Sequence, residues 1–320
     1  MQTAVVTGAG GFLGSHLTEK LVQQGFQVIA VDNFCTGSRK NKSILDKNPH
    51  VTFIEADVIK PFHVWLEHIH PDWLKNLKYV FHFASAASPP LYQKLNIETM
   101  WVNSLGLENC LLLANQYKAK VIFASTSEVY GDPNISPQPE NYWGYVNSFG
   151  VRSCYDEAKR FGESLIFSYN QRFATRHGLV RIFNTYGPRI NPNDGRVVIN
   201  FLLQALKSEP LTVYGDGSQT RSFCYVSDLI EGIYKYATND ITEPVNIGNP
   251  TEFSILDLAH IVQKMFADKN LSIEFKDLPG DDPKQRKPDI SKAGKLLNWQ
   301  PQISLQEGLN KMTDWLRTEI

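Results

Sequence analysis

The sequence predicts an α/β fold: a doubly wound parallel sheet with a smaller α/β substrate-binding domain interleaved with its end. Three observations predict it. Short β-branched runs alternate with helical stretches over the first 183 residues, and that alternation puts parallel strands in one sheet with helices on both faces. The first strand pattern leads straight into a glycine-rich turn that opens a helix. After Phe183 the rhythm breaks into turns, short strands and helices, which marks the second unit.

Residues 4–7 are apolar and read as a buried strand, followed by an amphipathic helix over about 12–24 with Gly25 as its stop. The second strand, 28–31, ends at Asp32. Further strands are expected at 51–55, 79–83, 121–124 and 179–183, with helices near 101–117 and 155–175 separating the later ones. Residues 61–78 read as a loop or short helix. Residues 184–194 hold one glycine and two prolines, and 197–206 turns helical. Short strands are expected at 212–214 and 224–226, around a Gly-Asp-Gly turn, and at 272–275 in a largely helical tail. The expected division is 1–183 plus 224–250 for the sheet domain and 184–223 plus 251–320 for the smaller one.

Composition excludes several classes. The 320 residues carry 32 Lys+Arg against 33 Asp+Glu, a net charge of −1, without the basic excess of a nucleic-acid binder. A hydrophobic share of 42% supports a sizeable core and excludes disorder. No apolar run reaches the roughly 18 residues of a membrane span, and Met1 leads into a strand pattern rather than a signal peptide. No membrane partner and a cytoplasmic location are expected. Cys35, Cys110, Cys154 and Cys224 form no CxxC or Cys/His pair at metal spacing, which fits a reducing compartment. His63, His68 and His70 cluster between Pro61 and Pro71 without carboxylate support, so no metal is expected.

Gly8-Ala9-Gly10-Gly11-Phe12-Leu13-Gly14 lies between a strand and a helix, as a pyrophosphate-binding turn must. Gly8 and Gly11 let the backbone approach phosphate, Gly14 lets the helix pack on the sheet, and the helix N-terminus faces the negative charge. Asp32 follows Gly14 by 18 residues at the end of the second strand, where a carboxylate holds a ribose hydroxyl pair and repels a 2′-phosphate. The pattern is the Rossmann-type nucleotide turn and favours NAD. Asp57 and Val58 follow the third strand, at the position that edges the adenine.

Tyr155 and Lys159 stand four apart on one helix face. A lysine ammonium near a phenol lowers its pKa from about 10 toward working pH and makes it a general base. Thr126, just after the strand at 121–124, supplies a hydroxyl at the sheet end where a doubly wound fold places its ligand.

With the glycine turn, Thr126, Tyr155 and Lys159 together, the chain resembles the extended short-chain dehydrogenase/reductase family of nucleotide-sugar-modifying enzymes, most of all its UDP-glucuronate decarboxylase branch. The likeness runs from Ala4 to about Trp315. Ala124-Ser125-Thr126-Ser127-Glu128-Val129-Tyr130-Gly131, Cys154-Tyr155-Asp156-Glu157, Asn193-Asp194-Gly195-Arg196-Val197-Val198 and Arg286-Lys287-Pro288-Asp289 carry it most specifically. The resemblance implies an NAD-dependent cycle: oxidation at the sugar's fourth carbon, loss of carbon dioxide from the resulting β-keto acid, and re-reduction to the pentose. It implies that Tyr155 takes the proton and Thr126 holds the oxidised oxygen. Ser127 and Glu128 would order water or relay a proton near the carboxylate, and Arg196 would stabilise the enolate or fix the sugar. Asn184, Arg221 and Arg286 would meet the nucleotide diphosphate, and Ser88 the sugar. It further implies cofactor contacts at Phe12, Leu13, Asn33, Thr36, Gly37, Phe83, Ala84, Ser85, Ala124, Tyr155 and Lys159, and a homodimer built on the helices near 101–117 and 155–175.

Ser127 stands where related 4,6-dehydratases carry an acidic residue, which favours decarboxylation over dehydration. The chain departs from the branch at Trp101-Val102-Asn103, where Lys-Thr-Asn is usual. It departs again at Asn115-Gln116, where a basic pair is usual, and in a longer segment at 61–78. These departures bear on which sugar is bound. The alternatives are a nucleotide-sugar 4-epimerase, an oxidative decarboxylase releasing the 4-keto pentose, and a catalytically silent NAD-binding scaffold. Retention of Thr126, Tyr155 and Lys159 argues against the last.

Overall fold

A computed structural model describes residues 1–67, 69–277 and 285–319. Its centre is a seven-stranded parallel sheet. Strands β1 (Thr3–Thr7), β2 (Gln27–Asp32), β3 (Val51–Glu55), β4 (Leu77–His82), β5 (Lys120–Thr126) and β6 (Gly178–Ile182) are joined by Val245–Ile247 at the far edge. The spatial order is β3-β2-β1-β4-β5-β6 and then Val245–Ile247. The chain reverses direction of travel across the sheet between β1 and β4, which opens a crevice at the strands' C-terminal ends. β1 is buried at all five positions because helices cover both faces.

The expected strands are present, shifted by one or two residues at their ends. Helix α1 (Phe12–Gln23) ends just before Gly25, whose φ of 82° reverses the chain. Three expectations change. Residues 61–78 hold two short helices, Phe62–Trp65 and Pro71–Lys75, before β4 begins, and His68 lies outside the described residues. The helix near 101–117 is longer and interrupted: Asn96–Trp101 passes through a π turn, Val102–Gly106, into Leu107–Tyr117. Val226 is not strand but the start of a helix, Val226–Thr238. Only Cys224–Tyr225 is extended, because Leu229, Ile230, Ile233, Tyr236 and Ala237 recur at helical spacing and are buried.

That helix packs beside α1, tied to it by the Lys20–Glu231 ion pair at 2.7 Å. The smaller sheets lie beyond the C-terminal edge of the main one. Thr220–Ser222 pairs antiparallel with Glu252–Ser254 and parallel with Gln285–Arg286, and Leu211–Tyr214 pairs with Ile273–Lys276. The aligned register sets Arg221 beside Arg286. Among the described residues, no helix is long and apolar enough to cross a membrane.

Candidate active site

A cavity of about 1060 Å³ opens along the C-terminal ends of the parallel strands. Every residue singled out from the sequence as catalytic, cofactor-binding or substrate-binding lines it.

One end is built by the β1–α1 turn. Gly8 has φ 70°, and a Cβ there would come within 2.8 Å of the Phe83 and Ala84 backbone. A Cβ on Gly14 would overlap the Gly8 carbonyl oxygen, so both positions require glycine. Thr7 Oγ1 accepts from the amides of Phe83 and Ala84 at 3.2 Å, joining β1 to the loop that continues through Ser85. Asp32 is buried at the end of β2, accepting from Gly10 N at 2.8 Å and Phe34 N at 2.7 Å. Burial pushes its pKa up and those backbone donors pull it back. Each carboxylate oxygen keeps a second lone pair for a ribose hydroxyl.

The nearby cations are engaged. Arg39 makes a two-pronged pair with Glu55 at 2.9 and 2.6 Å, and Lys40 bonds Glu319 at 2.8 Å. An acid facing the ribose position with its neighbouring cations committed suits NAD and not a 2′-phosphate. Asn33, Thr36 and Gly37 continue this wall, and Asp57 Oδ1 caps its own turn by accepting from Ile59 N. Val58 is buried against the side where a Cβ on Gly106 would fall, at 3.2 Å. The glycine cradle and the held Asp32 therefore fit a dinucleotide.

The other end gathers the reactive groups. β5 delivers Thr126, whose Oγ1 accepts from Glu128 N at 3.3 Å and caps the short turn Ser127–Tyr130. The helix Ser153–Phe173 brings Tyr155 and Lys159, both buried, and the Tyr155 phenol is hydrogen-bonded to Thr126. Lys159 Nζ donates to the Ala124 carbonyl at 2.7 Å and lies 5.7 Å from the centre of the Tyr155 ring. The expected depression of the phenol pKa by this lysine is not found. Burial pushes Tyr155 up to about 12 and Lys159 down to about 7. The physical reason is that both groups are desolvated and the ammonium points at a backbone carbonyl rather than at the phenol.

Glu128 sits between two guanidiniums. Its Oε2 accepts from Arg152 at 2.5 Å and from Arg286 at 2.7 Å. Arg286 is 1% exposed and also donates to the Gly131 carbonyl. The two arginines, outweighing burial, hold Glu128 down at about 2. A carboxylate held there is an anion near neutral pH. Arg286, the residue expected at the diphosphate, reaches both Glu128 and the Gly131 carbonyl. Arg221 stands beside it, with one donor on the Thr220 carbonyl at 2.8 Å. Arg196 enters from the start of the helix Val197–Lys207, held by both oxygens of Asp194, and its charge is felt at Tyr155. Asn184 follows β6, its carbonyl accepting from Cys224 N. Ser88 is buried with its hydroxyl unpartnered.

Four further residues belong to this end and carried no signal strong enough to single them out. Tyr92 is buried with an unpartnered hydroxyl, and Thr99 shares that state on the following helix. Arg152 and Asp156 stand at i and i+4, a spacing readable in the sequence but common on helix surfaces. Among the departures, Trp101 lines the cavity and is 49% exposed. Asn115 instead bonds His177 at 3.0 Å and does not line the cavity.

Known proteins resemble this arrangement. Residues 4–248 match the model of the NAD dependent epimerase/dehydratase family. UDP-glucuronic acid decarboxylase 1 of Arabidopsis thaliana is 48% identical over 316 residues, covering 99% of this chain and 70% of that protein. The Danio rerio protein of the same name is 45% identical over 99% of this chain and 73% of its own length. Among solved structures, the UDP-glucuronic acid 4-epimerase of Bacillus cereus, in complex with UDP-glucuronic acid and NAD, superposes with a TM-score of 0.87. It is 29% identical, with all of both chains covered. The match over most of the length and the geometry of the glycine turn agree: this chain belongs to the NAD dependent epimerase/dehydratase family.

Proposed function

We propose that this enzyme converts UDP-glucuronate to UDP-xylose with loss of carbon dioxide, using NAD that ends each cycle unchanged. The observation that carries the reading is the reacting end of the cavity, where Thr126 and Tyr155 adjoin a Glu128 carboxylate clamped by Arg152 and Arg286. Guanidiniums gathered beside a general-base group suit a sugar that bears a carboxylate. Relatives at 45–48% identity named as UDP-glucuronic acid decarboxylases support the same substrate.

NAD, held by the glycine turn and Asp32, supplies the hydride acceptor and the returning hydride at the sugar's fourth carbon. The residues do the rest. Tyr155 takes and returns the proton of the fourth-carbon hydroxyl, with Thr126 holding that oxygen. Lys159 supports the phenolate when the proton leaves. Glu128, a fixed anion, keeps Arg152 and Arg286 in place and orders the groups around the departing carboxylate. Ser127 lacks the acidity a dehydratase needs to expel a hydroxyl. Arg196 steadies the enolate and Ser88 meets the sugar, while Asn184, Arg221 and Arg286 meet the diphosphate. In this reading residues 1–183 plus 224–250 hold NAD, and 184–223 plus 251–320 hold the nucleotide sugar.

The same reading includes a homodimer. Ile97, Met100, Leu105 and Leu112 on one helix and Phe161 on the next are apolar and exposed, and they offer a face for a second copy. Sedimentation equilibrium tests this, and a monomer at all micromolar concentrations counts against it. A cytoplasmic place is part of the proposal, supported by four free cysteines.

The decisive assay is incubation with UDP-glucuronate and NAD, following carbon dioxide, NADH absorbance and products by NMR. Carbon dioxide with UDP-xylose and no lasting NADH supports the proposal. Stoichiometric NADH with a 4-keto pentose indicates release of the intermediate, and UDP-galacturonate without carbon dioxide indicates an epimerase. NAD binding without turnover of any nucleotide sugar indicates the silent scaffold.

A further inference from the structure

Arg152 lies between two carboxylates, and only one of them is used by the chemistry described above. It bonds Glu128 Oε2 at 2.5 Å, while its Nε stands 3.9 Å from Asp156 Oδ2 one helical turn on. Asp156 is 5% exposed, and its other oxygen, Oδ1, has no hydrogen-bond partner. Arg152 itself lines the cavity and lies 5.9 Å from the centre of the Tyr92 ring. A buried carboxylate with an orphaned oxygen beside a cavity arginine is costly when ionised. That cost gives its protonation a consequence for its neighbour.

We propose that Asp156 is a positioning residue whose own protonation sets how much of the Arg152 charge is available to an anionic ligand in the cavity. When Asp156 is neutral, Arg152 answers to Glu128 and to whatever anion enters. When Asp156 ionises, it draws on the same guanidinium and adds a negative charge beside the anion site. Affinity for a carboxylate-bearing sugar then falls as pH rises through the Asp156 titration. By linkage, binding such a ligand draws a proton onto the protein. The groups facing Asp156 are Arg152 and Glu157 on its own helix, Glu128 on the turn after β5 and Arg286 on the strand Gln285–Arg286. Its charge is felt in turn by Tyr92, Cys154 and Tyr155. Burial first, and Glu128 second, push its pKa up to about 7, against the opposing pull of Arg152 and Arg286.

The identity of the ligand rests on the UDP-glucuronate reading, but the titration of Asp156 does not. The test therefore has two arms, both on the full chain loaded with NAD. In the first, carboxyl ¹³C NMR of the wild type and of Asp156→Asn assigns and titrates Asp156 without substrate. A midpoint between pH 6 and 8 is expected, moving up in Arg152→Gln, and a midpoint below pH 5 overturns the inference. In the second, UDP-glucuronate binding is followed by calorimetry in buffers of different ionisation heat. Near pH 7 the wild type takes up a fraction of a proton, and its Kd rises about tenfold between pH 6 and 8.5, the change that one pKa unit of coupling produces. Asp156→Asn takes up none and binds with a flat pH profile, matching the wild type at pH 6 within about twofold. A wild type and variant with the same pH profile and the same proton uptake overturn the inference, because a merely structural Asp156 would lower stability and leave the linkage in place. If the wild type does not bind UDP-glucuronate, the substrate reading fails while the first arm still decides Asp156.

Discussion

The rings of Tyr92 and Tyr155 lie face to face, 4.9 Å between centroids and 8° from parallel. The stack joins the short helix Pro89–Lys94 to the helix that carries the general base, so Tyr155 is set from two directions: by this ring and by the Thr126 hydroxyl. Such aromatic pairs contribute about 0.5–1.5 kcal/mol beyond the area they bury. Here the pair also fixes where the phenol points.

Tyr92→Phe keeps the stack and removes only an unpartnered buried hydroxyl, so the ligand-free variant is expected to be at least as stable as the wild type. Tyr92→Ala loses the ring, costs about 3–5 kcal/mol, and lowers kcat roughly 10- to 100-fold through a misplaced Tyr155. Urea denaturation and steady-state rates on both variants check this. Equal kcat in the alanine variant would remove the stack from the account.

Tyr155→Phe is expected to lose roughly 10²–10⁴ in kcat, the usual range for a positioned acid–base group. NAD affinity should fall far less than kcat, since the glycine turn and Asp32 hold the other end of the cofactor. Carbon dioxide release and NAD-quenched fluorescence separate the two.

Lys159 makes stability depend on alkaline pH. Its folded pKa is lowered from 10.5 to about 7 by burial. Between those values the unfolded chain binds a proton that the folded one does not, so stability of the ligand-free protein rises with pH across that window. The slope is at most about 1.4 kcal/mol per pH unit. Denaturation at several pH values should show it, and Lys159→Met should flatten it.

Glu128 gives a dependence of the same sign in acid. Arg286 and Arg152 hold it at about 2, below its ordinary 4.5, so its contribution is fully present above the unfolded value and is lost as pH falls toward 2. Glu128→Gln leaves two guanidiniums without their shared anion and is expected to cost roughly 3–5 kcal/mol. The double variant with Arg286→Met should recover part of that loss, measured by a double-mutant cycle.

Much of this molecule was legible because its signals are local. The β1–α1 turn needs glycine at Gly8 and Gly14 for steric reasons that any sequence displays, and strands buried on both faces read as short apolar runs. The helix Val226–Thr238 has no counterpart among the expected elements: Cys224, Tyr225 and Val226 look extended, although Leu229, Ile233 and Tyr236 recur at helical period. Other features arise only in three dimensions. The Tyr92 stack joins two separate helices, and the sharing of Glu128 by Arg152 and Arg286 spans 158 residues of chain. Neither pattern exists before the chain folds. The direction of the Tyr155 and Lys159 shifts was equally out of reach, since burial, the largest cause at both groups, follows only from the fold.

The central claim is a closed cycle of oxidation, decarboxylation and return of hydride at one cavity. It is tested most directly by turning over UDP-glucuronate with catalytic NAD in D₂O and reading the product by NMR. The account predicts UDP-xylose with the original hydrogen retained at the fourth carbon and a single solvent deuterium at the fifth. A product that keeps its carboxylate, or NADH accumulating in step with carbon dioxide, would contradict it.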